Sequence, residues 1–466
     1  MNDGMKAGQS SVRIGIVCLS AIADDPRVRR QGDLFAQHGW EVLAFGLPGA
    51  RSVAPSWRIF EAGQPAGAAV TVTDHAPLVV VPVTEALAVS LPGILKRAWL
   101  WIYWRCLRRF ILAILGEYGT RALSRTRHRA RRLADVLRVY IDPLHASATY
   151  WTLNDNFARL ITLARSHKVD IWLANDWTAM PIVQTLAVEQ GVPYAYDTHE
   201  LAVDEYAQRW RWRVFQRPVI AAIERNGIAG CAVTTCVSQG IATRLQQLYS
   251  LKEGPTVIRN MPRYEAHGLR PSGSTIEVLY HGVVSPGRGL ETCIESVSLW
   301  RREFRLTIRG PASADYLASL GALIEKHGVQ GRVVLAPPVA MVDLVKEAAA
   351  FDIGLFALPG HSQQNFHVLP NKFFEYTMAG LALCVSDLPE MTALVRQHDL
   401  GHLIPEVTPA AIAKAINGFD HAEIDRCKAN SLAAATSLNW EVEADHYFRI
   451  VDRVVQSARA EVVHAS

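Results

Sequence analysis

Cysteine is scarce and unpatterned in this chain. Seven are spread through 466 residues (Cys18, Cys106, Cys231, Cys236, Cys293, Cys384 and Cys427), an odd number with no C-x-x-C pair. That argues against a disulfide framework and a cysteine-ligated zinc site, and for a reducing, cytosolic setting. No Walker loop and no G-x-G-x-x-G fingerprint occurs, so ATP and NAD are poorly supported. The apolar run Ile14–Ile22 has no charged leader before it and no cleavage pattern after it, and it reads as a first strand rather than a signal peptide. There is no short-period repeat. Acidic residues are nearly missing from one place: between Lys96 and Arg138 only Glu117 and Asp135 stand against twelve Lys/Arg. That segment carries +10 while the chain carries +4, so the remainder carries −6, and the basic character needs a local explanation.

What is present suits two or three domains of a soluble α/β protein, with 50% hydrophobic and 20% charged residues. Strand-like runs at Val12–Leu19 and Gly39–Gly46 flank Asp24-Asp-Pro-Arg-Val-Arg-Arg30 and an amphipathic stretch, the start of a doubly wound sheet. A strand near Leu78–Val83 precedes the basic interruption. The alternation resumes with helices near Thr152–Ser166 and Pro181–Gln190, strands at Asp170–Ala174 and Pro193–Tyr196, a long helical stretch to Gly227, and strand Ala232–Cys236. A second strand–helix series runs from Glu277 to Ser386. The expected fold is two Rossmann-like domains facing across a cleft: 1–262 with a basic insertion at about 85–150, 263–434, and a terminal segment 435–466. Ligands in such sheets bind beyond the carboxyl ends of the strands.

Two stretches of the second series carry chemistry. Leu369-Pro-Asn-Lys-Phe-Phe-Glu375-Tyr-Thr-Met-Ala-Gly380 reads as a turn entering a short helix, with Pro370 at the first helical position and Gly380 at a left-handed exit. Free N–H groups there attract phosphate, and Glu375, about one turn on, can accept from a sugar's neighbouring hydroxyls. Taken alone it reads equally well as a capped, buried helix with a surface Glu. His281-Gly-Val-Val-Ser-Pro-Gly-Arg-Gly-Leu290 follows a strand and precedes a helix. Gly282, Gly287 and Gly289 permit close backbone approach, and Arg288 is a counter-charge for a diphosphate. Alone, it is also an ordinary glycine turn with a solvated Arg.

Together with Met378-Ala-Gly380, these stretches resemble the donor domain of glycosyltransferase family 4, retaining nucleotide-sugar-dependent enzymes of the GT-B fold. Asp25-Pro-Arg-Val-Arg-Arg30 and Tyr196-Asp-Thr-His-Glu200 resemble the acceptor domain of a bacterial branch of that family. The resemblance implies that Glu375 accepts the nucleotide ribose hydroxyls. Arg288 would contact the donor phosphates in the place of the family's Lys, and Asn371 and Lys372 would lie near the diphosphate and the sugar. It departs at two positions. His367 stands where the family usually has a second Glu, and Val283 where an Arg is common. His367 retains the capacity to hydrogen-bond a sugar hydroxyl. On the acceptor side it implies a functional His199, a residue type more often structural when alone, with Glu200 beside it and Asp25 and Asp176 as weaker candidates. The terminal stretch from about Trp440 to Val463 would be a helix crossing back onto the first domain. No protein base in line, no cofactor and no metal are implied; there is no Asp-x-Asp motif, and fixed positive charge stabilises the leaving diphosphate instead.

The segment 94–115 tempts one to read a membrane span, but Arg105, Arg108 and Arg109 near its middle make spanning costly. On a helix, Trp99, Tyr103, Leu107, Phe110 and Ile114 share one face and the arginines gather within roughly 120° opposite. That is the pattern of a helix lying on an anionic membrane, or of one whose apolar face packs on the first domain. Nucleic acid is a weak reading of 121–138, since no base-reading module accompanies it. The expectation is a cytoplasmic, peripheral inner-face glycosyltransferase using a nucleotide-sugar donor and a lipid-linked or polysaccharide acceptor. A sugar-nucleotide epimerase and a non-catalytic nucleotide-sugar-binding subunit are the rivals.

Overall fold

The computed structural model describes residues 11–50, 52–63 and 134–465. These belong to two units, one of residues 1–63 with 155–466 and one of 64–154. The expected strand near Leu78–Val83 and the basic helix at 94–115 lie outside the described residues.

The larger unit holds two parallel sheets. The first contains β1 (Arg13–Val17), β2 (Glu41–Gly46), β3 (Arg58–Glu61), β4 (Ile171–Asn175), β5 (Tyr194–Thr198), β6 (Val233–Cys236) and β7 (Thr256–Val257), in the order β3-β2-β1-β4-β5-β6-β7. The second contains β8 (Ile276–His281), β9 (Phe304–Arg309), β10 (Val333–Ala336), β11 (Ile353–Phe356), β12 (Ala382–Ser386) and β13 (Gly401–Ile404), in the order β10-β9-β8-β11-β12-β13. The central strands are near-continuous apolar runs because helices cover both faces; Ile171 through Asn175 are all buried. Strand order reverses where β1 pairs with β4 (Ile14 opposite Ile171) and where β8 pairs with β11 (Val278 opposite Ile353). At such reversals the loops diverge and leave a crevice beyond the strand ends.

Each sheet has its own core. One is built around Ile14, Phe35, Trp40 and Ile171, the other around Phe304, Phe373, Phe374 and Tyr376. The last helix, Trp440–Ala465, follows the second domain in sequence but packs into the first core through Trp440, Tyr447 and Val451. His38 stacks on Phe448 at 3.7 Å, and Arg459 holds Asp170 at 2.8 Å.

Several elements differ from the sequence reading. The long helical stretch to Gly227 is a turn at Ala202–Asp204 and two helices, Trp210–Phe215 and Arg217–Ala229, the second carrying Pro218 in its first turn, where a proline is tolerated. Strands β3, β7 and β13 carry too little periodicity to stand out. In the smaller unit, 134–141 is helical and Pro143–His145 and Ala146–Tyr150 follow, with Asp142 accepting from the Leu144 N–H at 3.0 Å.

Candidate active site at the ends of the two sheets

The carboxyl ends of both sheets line one cleft of about 630 Å³. From the second sheet come Gly282, Arg288, Pro370, Asn371, Lys372 and Glu375. From the first come Asp25, His199 and Glu200. The fold therefore gathers residues that lie as much as 350 positions apart in the sequence.

The glycine loop is shaped by close approach. Gly289 has φ +75°, and a Cβ there would sit 2.1 Å from the Ala357 carbonyl oxygen. Gly310 is pressed against Gly282 in the same way, a Cβ falling 1.8 Å from the Gly282 oxygen, so the ends of β8 and β9 meet without side chains between them. Gly287 and Gly289 shape this loop and do not line the cleft. Arg288 projects from it and has no hydrogen bond or ion pair among the described residues.

Helix Asn371–Met378 starts one residue later than the sequence suggests. Pro370 is its extended N-cap (φ −79°, ψ 150°), and its carbonyl accepts from the Phe373 N–H at 3.0 Å. The N–H groups of Asn371 and Lys372 precede the first intrahelical bond and open toward the cleft end of the helix. Gly380 makes the expected left-handed exit at φ +70°. The half-buried Lys372 amine sits 4.9 Å from the Tyr280 ring and 4.4 Å from the Phe356 ring. Burial and the Arg288 charge lower its pKa to about 7, against the pull of Glu375. One turn on, Oε2 of Glu375 lies 2.8 Å from Nε2 of the buried His281, whose backbone N–H donates to the Tyr376 hydroxyl at 3.0 Å. Burial would raise the Glu375 pKa, but His281, Lys372 and Arg30 together hold it below the usual carboxylate value.

His367 belongs elsewhere. It does not line the cleft; its carbonyl accepts from Ser238 Oγ at 2.7 Å, and its ring packs on Gly240 at the start of helix Gln239–Tyr249. Gln364, one turn earlier, lines the cleft and accepts from the Leu201 N–H at 2.5 Å.

On the first sheet His199 is fixed on three sides. Nε2 is 2.9 Å from Asn175 Oδ1 and 3.3 Å from Asp197 Oδ2, and Nδ1 is 3.5 Å from Asp176 Oδ2. Burial opposes the ring's charge, but the two carboxylates overcome it and raise the pKa to about 9. Asp176 stands behind His199 rather than on the cleft wall, in a left-handed turn (φ +63°), accepting from the His199 N–H at 3.0 Å. Asp197 is wholly buried and receives both Nε and Nη2 of Arg27, at 2.5 and 2.6 Å, with Gln31 and Thr235 donating at 2.6 Å each. Such a charge-assisted fork holds its carboxylate far below the usual range despite burial. Asp25 caps helix Pro26–Gln37, accepting from Arg27 and Val28 N–H, so one face of its carboxylate is spent on the backbone. Glu200 keeps solvent contact, yet surrounding protein, Glu205 and Asp176 push its pKa up to about 7. Among the residues sequence reasoning missed, Arg27, Asp197 and His281 lay inside the quoted motifs, but nothing local marks which partner each one takes.

Two family models match the chain: Glycosyltransferase Family 4 over residues 118–261 and Glycosyl transferases group 1 over residues 275–419. No curated protein matches it in sequence. Among solved structures, sucrose-phosphate synthase from Thermosynechococcus elongatus is similar over 96% of this chain and 100% of its own, at 14% identity and TM-score 0.64. Anabaena HepE in complex with UDP and glucose covers 98% and 100%, at 14% and 0.58. The E. coli trehalose-6-phosphate structure bound with UDP-2-fluoro glucose covers 95% and 99%, at 13% and 0.55. At these identities the likeness concerns the fold. With the two matched segments falling on the two sheets that frame the cleft, the chain belongs to the family 4, group 1 glycosyltransferases and has their GT-B fold.

Proposed function

We propose that this glycosyltransferase moves a sugar from a nucleoside-diphosphate sugar to a lipid-linked or polysaccharide acceptor in bacterial cell-surface glycan synthesis, with retention at the anomeric carbon. The observation that carries the reading is the pair of basic side chains, Arg288 and Lys372, without an acidic partner within ion-pair distance among the described residues, beside a helix start and one turn from Glu375. A diphosphate supplies the missing charge, and the ribose hydroxyls reach the carboxylate that His281 keeps ionised. UDP is the first nucleotide to test, because similar folds hold UDP or a UDP-sugar.

In the proposed reaction the bond from the anomeric carbon to the diphosphate oxygen breaks and the acceptor hydroxyl oxygen bonds to that carbon on the same face. Charge developing on that oxygen is met by Arg288, Lys372 and the helix N–H groups. The acceptor proton passes to the departing diphosphate on the same face, so no protein base in line and no metal is invoked. His199, a cation near neutral pH, donates hydrogen bonds and offers no base. The basic stretch at about 94–138 would bring the enzyme to an anionic membrane surface on the cytoplasmic side.

Glu375→Ala and Arg288→Ala test the site. Each is expected to lower donor turnover by roughly a hundredfold or more, about 2.7 kcal/mol of transition-state stabilisation, with an unchanged melting temperature. Unchanged transfer in both variants would sink the assignment. Thermal shift against UDP-, GDP-, ADP- and dTDP-sugars identifies the base, since stabilisation follows affinity. Free sugar released without an acceptor would favour the epimerase reading, and donor binding without turnover a non-catalytic subunit.

A further inference from the structure

The chain that leaves the cleft after Glu200 turns outward and forms the short helix Trp210–Phe215. Trp212 anchors this helix inward at 6% exposure, while Tyr206, Trp210 and Val214 are 38, 58 and 41% exposed. Trp210 and Val214, four residues apart, share the helix's outer side. Arg209, Arg211 and Arg213 are exposed around them, and none of the three has an ion pair among the described residues. Arg209 lies over the Tyr206 ring at 5.1 Å and Arg211 over the Trp210 ring at 5.5 Å. Residues 206–217 contain four arginines and no acid, and among the described residues only Arg217 is answered, by Asp204 at 3.2 Å.

Exposed indole and phenol rings interleaved with arginines that have no ion pair among the described residues make poor use of bulk water. Aromatic rings of this kind settle at the headgroup level of a bilayer, and arginines beside them neutralise anionic lipid. We propose that this arginine–aromatic patch is a membrane-contact surface that seats on anionic headgroups. In sequence it lies outside the basic stretch at 94–138 and a few residues beyond the cleft-lining Glu200. An enzyme seated this way would present its acceptor side to the lipid surface. The patch does not depend on the donor assignment.

The test is sedimentation of the full chain with vesicles of phosphatidylcholine alone and of phosphatidylcholine mixed with phosphatidylglycerol, the 94–138 stretch being intact throughout. Wild type should pellet with the mixed vesicles, and added salt should weaken it. Arg211→Glu/Arg213→Glu should lower the pelleted fraction about tenfold, and Trp210→Ser should lower it without changing net charge. Both should keep the wild-type melting temperature and its shift with a nucleotide sugar, which separates loss of this surface from failure of the donor reading. Should the charge reversal lower the melting temperature, Trp210→Ser decides. Wild type pelleting equally on neutral vesicles, or wild-type pelleting by both variants, overturns the proposal. So does loss in the variants of binding to a soluble acidic glycan when wild type ignores the vesicles, because the patch would then read glycan.

Discussion

At the scale of single residues the site is governed by where charge is left unanswered. Lys372 is held near neutrality by burial and by Arg288, with a pKa of about 7. A bound diphosphate restores its proton, so donor binding should take up a proton near pH 7.5 and weaken as pH rises through the free-enzyme pKa. Calorimetry in two buffers of different ionisation enthalpy reads this directly, and Lys372→Arg, always charged, should abolish the uptake. A wild-type affinity flat from pH 6.5 to 9 would remove Lys372 from the diphosphate site. His199 gives a second dependence. Its folded pKa, about 9, lies above the unfolded value near 6.5. Its stabilising contribution is therefore complete below about pH 6.5 and is lost as pH rises through about 9. Urea midpoints of wild type and His199→Gln should converge across that window.

At the scale of elements, two turns hold the cleft's walls in place. Asp25 both caps helix Pro26–Gln37 and lines the cleft, and substitution separates the two roles. Asp25→Ala should cost about 1 kcal/mol of stability, whereas Asn caps nearly as well as Asp. If Asp25→Asn keeps both stability and transfer, its contribution is to the helix; if transfer alone falls, the charge on the second carboxylate oxygen, which accepts from Ser20 Oγ at 2.8 Å, serves the acceptor side. The glycine loop tolerates less. Gly289→Ala places a methyl against the Ala357 carbonyl in a left-handed backbone, so a loss of more than about 2 kcal/mol is expected, with the donor thermal shift gone. Both loops were legible as turns from their residue types. Their tightness was not, because the clash partner of Gly289 lies 68 residues further along.

At the scale of the whole molecule, the terminal helix ties the end of the chain to its beginning. Trp440 N–H donates to the Pro262 carbonyl at 2.8 Å, and Tyr447 enters the first core beside Phe35, ring centres 5.8 Å apart. Tyr447→Ala should destabilise by about 3 kcal/mol through the cavity it leaves. The Tyr447 hydroxyl is buried without a hydrogen-bond partner among the described residues, so Tyr447→Phe should be neutral or stabilising by about 1 kcal/mol. Chemical denaturation of the pair checks both signs. Arg27 and Asp197 join the first helix to β5 across 170 positions, and Arg27→Met would strand a buried carboxylate, for an expected loss of about 3–5 kcal/mol.

The sequence by itself determined the two parallel sheets, the order of most of their strands along the chain, the helix carrying Glu375 and the glycine loop carrying Arg288. Those features rest on local signals: apolar runs buried on both faces, caps, and glycines at turns. It also showed that a His replaces the family's usual second Glu. Only the tertiary structure decided that this residue, His367, turns away from the cleft and that Gln364 lines it instead. Only the fold brought His281 against Glu375, Arg27 into Asp197 and three polar partners around His199. Strand β7, two residues long, exists because β6 offers it an edge, with no periodicity of its own to announce it. A sequence records what each segment prefers, whereas the partner of a buried charge is set by which segments the packing brings together.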